Sequence, residues 1–188
     1  MVSFNSGGSM NKALIILIPL VILGILVIAG LGIYNGVIGA QDEVRASWAK
    51  VADLYQKKAD YIPALVEIAK GYAPQENSLL AELLRLRSSW GGARQTGNIL
   101  KKMQAAMEMD EGLAQFMNMV ARYPELKSNP NFLRIMDQLQ GIDNRIRAEG
   151  RHYNLAVMNY NRKILKFPGV LFAGPFGFET MPLYRDRG

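Results

Sequence analysis

The 188-residue chain contains no cysteine, which excludes disulfide frameworks, thiol catalysis and Cys-ligated zinc and leaves no mark of the redox compartment. Histidine is almost as scarce, since His152 stands alone. A zinc hydrolase needs several His or carboxylate ligands at helical spacing, and His152 has no partner of its own kind. No Gly-rich phosphate loop follows a strand, and the Ser, His and acidic residues form no nucleophile arrangement. The chain is therefore read as a non-enzyme with no catalytic residue, no metal site and no cofactor. It also lacks a basic run, an RNA-binding motif and a recognition-helix signature, so nucleic acid is not an expected partner despite the net charge of +6.

Charge is interspersed along the chain. Residues 129–188 hold nine basic and five acidic side chains against thirteen and eleven before them, a mild skew that favours an anionic lipid or another acidic partner. A solvated helix surface is the plainer reading of the same pattern.

A mean hydropathy of +0.02 averages two unlike parts. Ala13–Gln41 contains no charged residue, and ALIILIPLVILGILVIAGLGI at 13–33 is apolar on every face for about the length that crosses a bilayer core. Pro19 is tolerable in such a helix. A cleaved signal peptide competes, because Lys12 resembles a basic leading region. The apolar run is too long for one, and Ala40, preceded two positions earlier by Ile38, offers no small-x-small cleavage site. Residues 13–40 are read as a transmembrane helix, and residues 1–12 as a leader or remnant, with Met10 resembling a natural start. The flanking charges are ambiguous: Lys12 precedes the span, while Asp42 and Glu43 and then Arg45, Lys50, Lys57 and Lys58 follow it. An extracytoplasmic domain is the reading adopted.

Gly32, Gly36 and Ala40 recur every four residues, a stripe that lets two membrane helices approach closely, although glycine is common in such helices anyway. Past Gln41, Val44, Trp48, Val51, Tyr55, Ile62, Leu65, Ala69 and Tyr72 follow the spacing of one helix face. With no breaker after the span, one helix is expected to run from the membrane into the domain, bent near Ala59 because Pro63 removes a backbone donor. Gly71-Tyr72-Ala73-Pro74 should close it.

A second helix carries Leu79, Leu80, Leu83, Leu84 and Leu86 and is expected to loosen or break at Gly91-Gly92. Helicity resumes near Thr96 or Gly97 with Leu100, Met103, Met107, Leu113, Phe116, Met117 and Val120, a Met-rich face whose default role is core filling. Tyr123-Pro124 ends it. Asn129-Pro130 should start a long heptad-like helix carrying Phe132, Met136, Leu139, Ile142 or Asp143, Ile146, Gly150, Tyr153, Val157, Tyr160, Ile164 and Phe167. The fold class is all-α: a single N-terminal transmembrane helix continuing into an antiparallel long-helix bundle over 41–168. The remaining 169–188, rich in Gly, Pro and aromatics, does not continue the helix. Phe172, Phe176 and Phe178 are expected to dock on the bundle, with insertion at a lipid interface or contact with another subunit as alternatives.

Within the long helix, Tyr153-Asn154 and Tyr160-Asn161 lie seven residues apart and so share faces. The tyrosines should pack toward the first helix, and the asparagines should bond a neighbouring helix or backbone. Asp60, near the proline, is expected to pair with Arg145 or Arg151 and fix helix register.

Trp48, the run Lys57-Lys58-Ala59-Asp60-Tyr61-Ile62-Pro63-Ala64-Leu65-Val66 and Lys70-Gly71-Tyr72-Ala73 resemble a signature of the LemA family. So do Tyr123-Pro124-Glu125-Leu126-Lys127 with Asn131-Phe132, then Tyr153-Asn154, Val157, Tyr160-Asn161 and Phe167-Pro168. The resemblance covers 34–178 in outline and is least distinctive over Ser78–Asp110. Val51-Ala52 stands where the family usually has Ile-Asp, and Gln75 where it usually has His; any activity that needed those groups would be missing. The resemblance implies an all-helical, membrane-anchored bacterial protein, single-pass in the cell (inner) membrane, with no established reaction. Some members are linked to membrane compartments, which implies by analogy a scaffold that organises or remodels the membrane.

Two readings follow. One is a scaffold that self-associates through the stripe, bundle and tail, with the lipid bilayer and a second copy as partners. The other is a monomeric, membrane-tethered adaptor that presents its bundle to an unidentified protein.

Overall fold

In this computed structural model, residues 7–185 are described, with side chains from Leu17 onward. Helix α1 runs uninterrupted over Gly7–Tyr72. The expected leader lies partly outside the described residues, and α1 begins within its second half. Pro63 stands on an exposed face, and the helix continues through it. The turn follows at Ala73, whose N–H still donates to Ala69 O, and a single 3₁₀ turn at Pro74–Glu76 leads into α2. Proline at the start of that turn loses nothing, because a first-turn N–H would have no intrahelical acceptor.

Helix α2 covers Asn77–Gln95. The break expected at Gly91-Gly92 does not occur: the helix passes through both glycines and ends one turn later. Each glycine weakens a helix by roughly 0.5–1 kcal/mol, but Trp90 immediately before them is fully buried, with Leu83 and Leu86 along the same face. Burying side chains of that size outweighs two glycines. The chain turns instead at 96–98, where Thr96 N–H and Oγ1 both donate to Ala93 O. Asn98 then caps α3 (Ile99–Val120), its side-chain oxygen accepting from Lys101 N–H.

After α3, Pro124–Lys127 forms the short helix α4, which buries Leu126. Helix α5, Pro130–Leu165, opens where Asn129-Pro130 predicts: Asn129 Oδ1 accepts from the N–H groups of Asn131 and Phe132 at 2.9 and 3.1 Å. Those are donors that a helix start leaves without intrahelical partners. A last turn, α6, spans Val170–Ala173. Every described element is helical.

The described residues divide into two compact units. One holds the chain up to Gln41 together with Asn159–Thr180. The other holds Asp42–Met158 together with the described residues from Met181 onward. Helices α2 and α3 pack as a hairpin in the second unit, with Gly112 meeting the Leu86 side chain so closely that a Cβ would collide with it. The core of that unit is apolar, built from Val51, Leu65, Leu83, Phe116, Phe132 and Val157 among others.

Candidate functional site

Among the described residues of the second unit, one charged side chain is buried. Lys58 is buried, and its ammonium donates to Asp110 Oδ1 from α3 and Asp143 Oδ1 from α5, each at 2.6 Å. Three helices therefore contribute one charge each to a single point. Tyr55, one turn before Lys58 on α1, donates its hydroxyl proton to Asp110 Oδ2 at 2.6 Å. It also shares a 2.7 Å hydrogen bond with the hydroxyl of Tyr184. Its ring packs on Trp90 with centroids 5.5 Å apart, and Trp90 Nε1 donates to Gln56 Oε1.

Burial would pull the Lys58 ammonium down, but the two carboxylates outweigh it and hold the group above its ordinary value. Asp110 is raised, because burial exceeds the opposing pull of Lys58 and of the Tyr55 hydrogen bond. Tyr55 is raised through burial first and the Asp110 charge second. At neutral pH the lysine is thus a fixed cation, unsuited to act as a nucleophile or base, and both Asp110 oxygens are engaged.

These groups form one wall of a cavity of about 430 Å³, whose other walls include Met107, Met117, Met136 and Phe116. Glu111, Arg147 and Arg185 also line it, so the carboxylates of Asp110, Glu111 and Asp143 are matched in number by Lys58 and the two arginines.

Tyr184 reaches this network because α5 holds the backbone on either side of it. Asn154 Nδ2 donates to Tyr184 O and Asn154 Oδ1 accepts from Tyr184 N–H, both at 2.8 Å. The buried Tyr153 hydroxyl donates to Pro182 O at 2.9 Å, and burial raises its pKa. Tyr153 and Tyr184 both pack on the Trp48 indole, at centroid distances of 5.3 and 6.1 Å. Trp48 Nε1 is buried with no hydrogen-bond partner among the described residues. The Tyr184 ring lies over Gly150, where a Cβ would fall 2.7 Å from its nearest ring carbon.

Asp60 forms neither of the pairs expected of it. Its carboxylate accepts from Gln56 at 2.8 Å on an exposed face of the same helix. The charge of α1 that reaches both α3 and α5 is Lys58, two positions earlier, because the three- and four-residue rhythm of the core face passes through 58.

The first unit gathers other residues. Phe172 packs on Gly30, with a ring carbon 3.3 Å from where a Cβ would stand. Phe176 and Phe178 flank Tyr34 at 5.1 and 5.8 Å. Tyr160 is buried and donates to Glu179 O at 3.0 Å, while Asn161 is half-buried. Phe167, by contrast, is 80% exposed. In the small-residue stripe, Ala40 is buried, and the Gly36 carbonyl accepts from Lys163 Nζ at 2.9 Å; only Gly32 is fully exposed. Earlier along α1, Leu17–Leu31 presents apolar side chains outward, from Ile28 at 72% exposure to Val21 at 50%. Helix α1, which carries this segment, is long and apolar enough to cross a membrane.

Lys58, Asp110, Asp143, Tyr55 and Tyr184 escaped sequence reasoning as a group, although three of them left a readable trace. The core series of α1 steps through Tyr55 and Ile62 with Lys58 in the slot between. Asp110 fills the slot between Met107 and Leu113, and Asp143 the slot between Leu139 and Ile146. A charge in a core slot on each of three helices, two of one sign and one of the other, predicts that they meet. Tyr184 carried no such signal, because the tail has no periodicity.

Two magnetosome proteins of Paramagnetospirillum magneticum, MamQ 1 and MamQ 2, are each 21% identical to this chain over 177 residues, covering 82% of it. The chain spans 65% of the length of either relative. Residues 47–187 match the profile of the LemA family. That stretch includes the Lys58 network and the Asn154–Tyr184 pairing, and on its strength the chain belongs to the LemA family.

Proposed function

We propose that this protein is a non-enzymatic, membrane-anchored helical scaffold that self-associates and organises or remodels the bacterial membrane. The observation that carries the reading is the exposed apolar surface of α1. Over Leu17–Ile28 its large apolar side chains are all exposed, and a surface of that extent is stable only in lipid or against another copy. With Ala40 buried inside the chain, close approach of two copies draws on Gly32 and Gly36, where a Cβ would meet nothing within 4 Å, and on the exposed apolar neighbours of Gly32. The charged network supports a structural role, since Lys58 is held charged and spent on two carboxylates. The naming of two relatives as magnetosome proteins supports a place in an assembled cellular structure. The membrane in question is the cell membrane, with the bundle on its extracytoplasmic side.

The test is the mass of the full chain in nanodiscs and mild detergent across a range of concentrations. A discrete assembly of several copies is expected. A monomer at every concentration overturns self-association and favours the second reading, a tethered adaptor. The observation on that side is the Met-lined cavity beside Lys58, since adaptable Met side chains suit a protein-binding groove.

A further inference from the structure

We propose that residues 162–176 form a second membrane contact, a cationic and apolar collar that binds the phosphate and upper acyl chains of an anionic phospholipid. The inference rests on the reading that α1 spans the bilayer. Gly30, on which Phe172 packs, lies inside the apolar run, about one turn from its end at Ile33. Tyr34, flanked by Phe176 and Phe178, stands at that end, where amphipathic rings favour the boundary between hydrocarbon and headgroups. The segment that carries these phenylalanines therefore shares the depth of the hydrocarbon edge.

Its outer surface is apolar to match. Leu165 and Leu171 are 62% exposed, Phe167 80% and Phe176 55%. Such a cluster is costly in water and suits the upper acyl region of a leaflet.

The charges sit one turn further out. Lys163 donates to the carbonyl of Gly36, three residues past Ile33. Arg162, Lys163 and Lys166 line one cavity of about 330 Å³ with Ile33, Gly36 and Phe167. Between 159 and 180 these three cations face a single acid, Glu179. Arg162 and Lys166 are exposed. A phosphate in this cavity would meet the Arg162 fork and the Lys166 ammonium, while its acyl chains lay along Ile33 and Phe167. Charge complementarity selects an anionic phospholipid over a zwitterionic one.

The chain's lack of cysteine permits a direct test in the full-length protein. Single variants Ile22→Cys, Leu171→Cys and Arg87→Cys are labelled with a polarity-sensitive dye in nanodiscs that contain acyl-spin-labelled phosphatidylcholine. Quenching at 22 and 171 but not at 87 is expected. Quenching at 22 alone overturns the collar and leaves the span standing, whereas no quenching at 22 overturns both. In nanodiscs of phosphatidylcholine with phosphatidylglycerol, the phosphatidylglycerol retained on release is then weighed by native mass spectrometry. Arg162→Gln/Lys166→Gln should retain about tenfold less than the wild type, with the difference shrinking at high salt. The control Lys101→Gln/Lys102→Gln should match the wild type. Equal retention by the collar variant overturns the lipid specificity.

Discussion

Asn154 clasps Tyr184 by both of its backbone polar groups, giving from Nδ2 to the carbonyl and accepting at Oδ1 from the N–H, each at 2.8 Å. A side-chain amide thus stands in for a neighbouring strand. The clasp turns an aperiodic tail into part of the core, because the Tyr184 side chain it positions is buried on Trp48 and bonded to Tyr55. Asn154→Ala removes both bonds and should cost about 1–3 kcal/mol. Amide exchange at Tyr184 should rise in step, measured by hydrogen–deuterium exchange on the full chain in detergent. A variant that loses stability without faster exchange at Tyr184 would place the effect elsewhere.

Lys58→Met leaves two carboxylates facing each other without their cation. Removing one partner of a buried pair costs roughly 3–5 kcal/mol, and the partial exposure of Asp143 puts this case toward the lower end. Adding Asp110→Asn and Asp143→Asn should recover much of the loss, because the uncompensated charges go with them. Thermal melts of the wild type, the single variant and the triple variant decide the matter, and a triple variant no better than the single one contradicts the account.

The same cluster sets an alkaline limit. Lys58 and Tyr55 are both raised in the folded chain above ordinary values of 10.5 and 10.0. The folded state then holds protons that the unfolded state has released. The stability from these two groups is complete below about pH 10 and is lost as pH rises beyond it. Asp110 is raised as well, so its ionisation opposes folding once pH passes the carboxylate range. Circular dichroism melts from pH 8 to 12 should show a plateau and then a fall, with a shallower fall in Tyr55→Phe.

Glycines provide a paired test of packing. At Gly150 a Cβ would enter the Tyr184 ring, whereas at Gly141, Gly91 and Gly92 it would meet nothing within 4 Å. Gly150→Ala should destabilise by about 1–3 kcal/mol, and alanine at each open helical position should stabilise by about 0.5–1 kcal/mol. Melting temperatures of the four variants check the contrast.

Much of the fold was legible because it is written locally. The span needs only an uncharged run, α5 needs only Asn129-Pro130 and a four-three rhythm, and the end of α1 needs only Gly71 to Pro74. The places where sequence reasoning failed depend on distant partners. Gly91-Gly92 reads as a break until Trp90 is seen to be buried. Asp60 reads as the charge that pairs across the bundle until the register turns Lys58 toward α3 and α5 instead.

The sequence by itself determined an all-helical chain with one bilayer-length apolar segment, since helical periodicity and hydropathy act between near neighbours. Only the tertiary structure decided that Lys58, Asp110 and Asp143 share one point, and that Tyr184 completes it from 126 residues after Lys58. Buried charges must find opposite charges wherever the packing places them, and no spacing along the chain records that place.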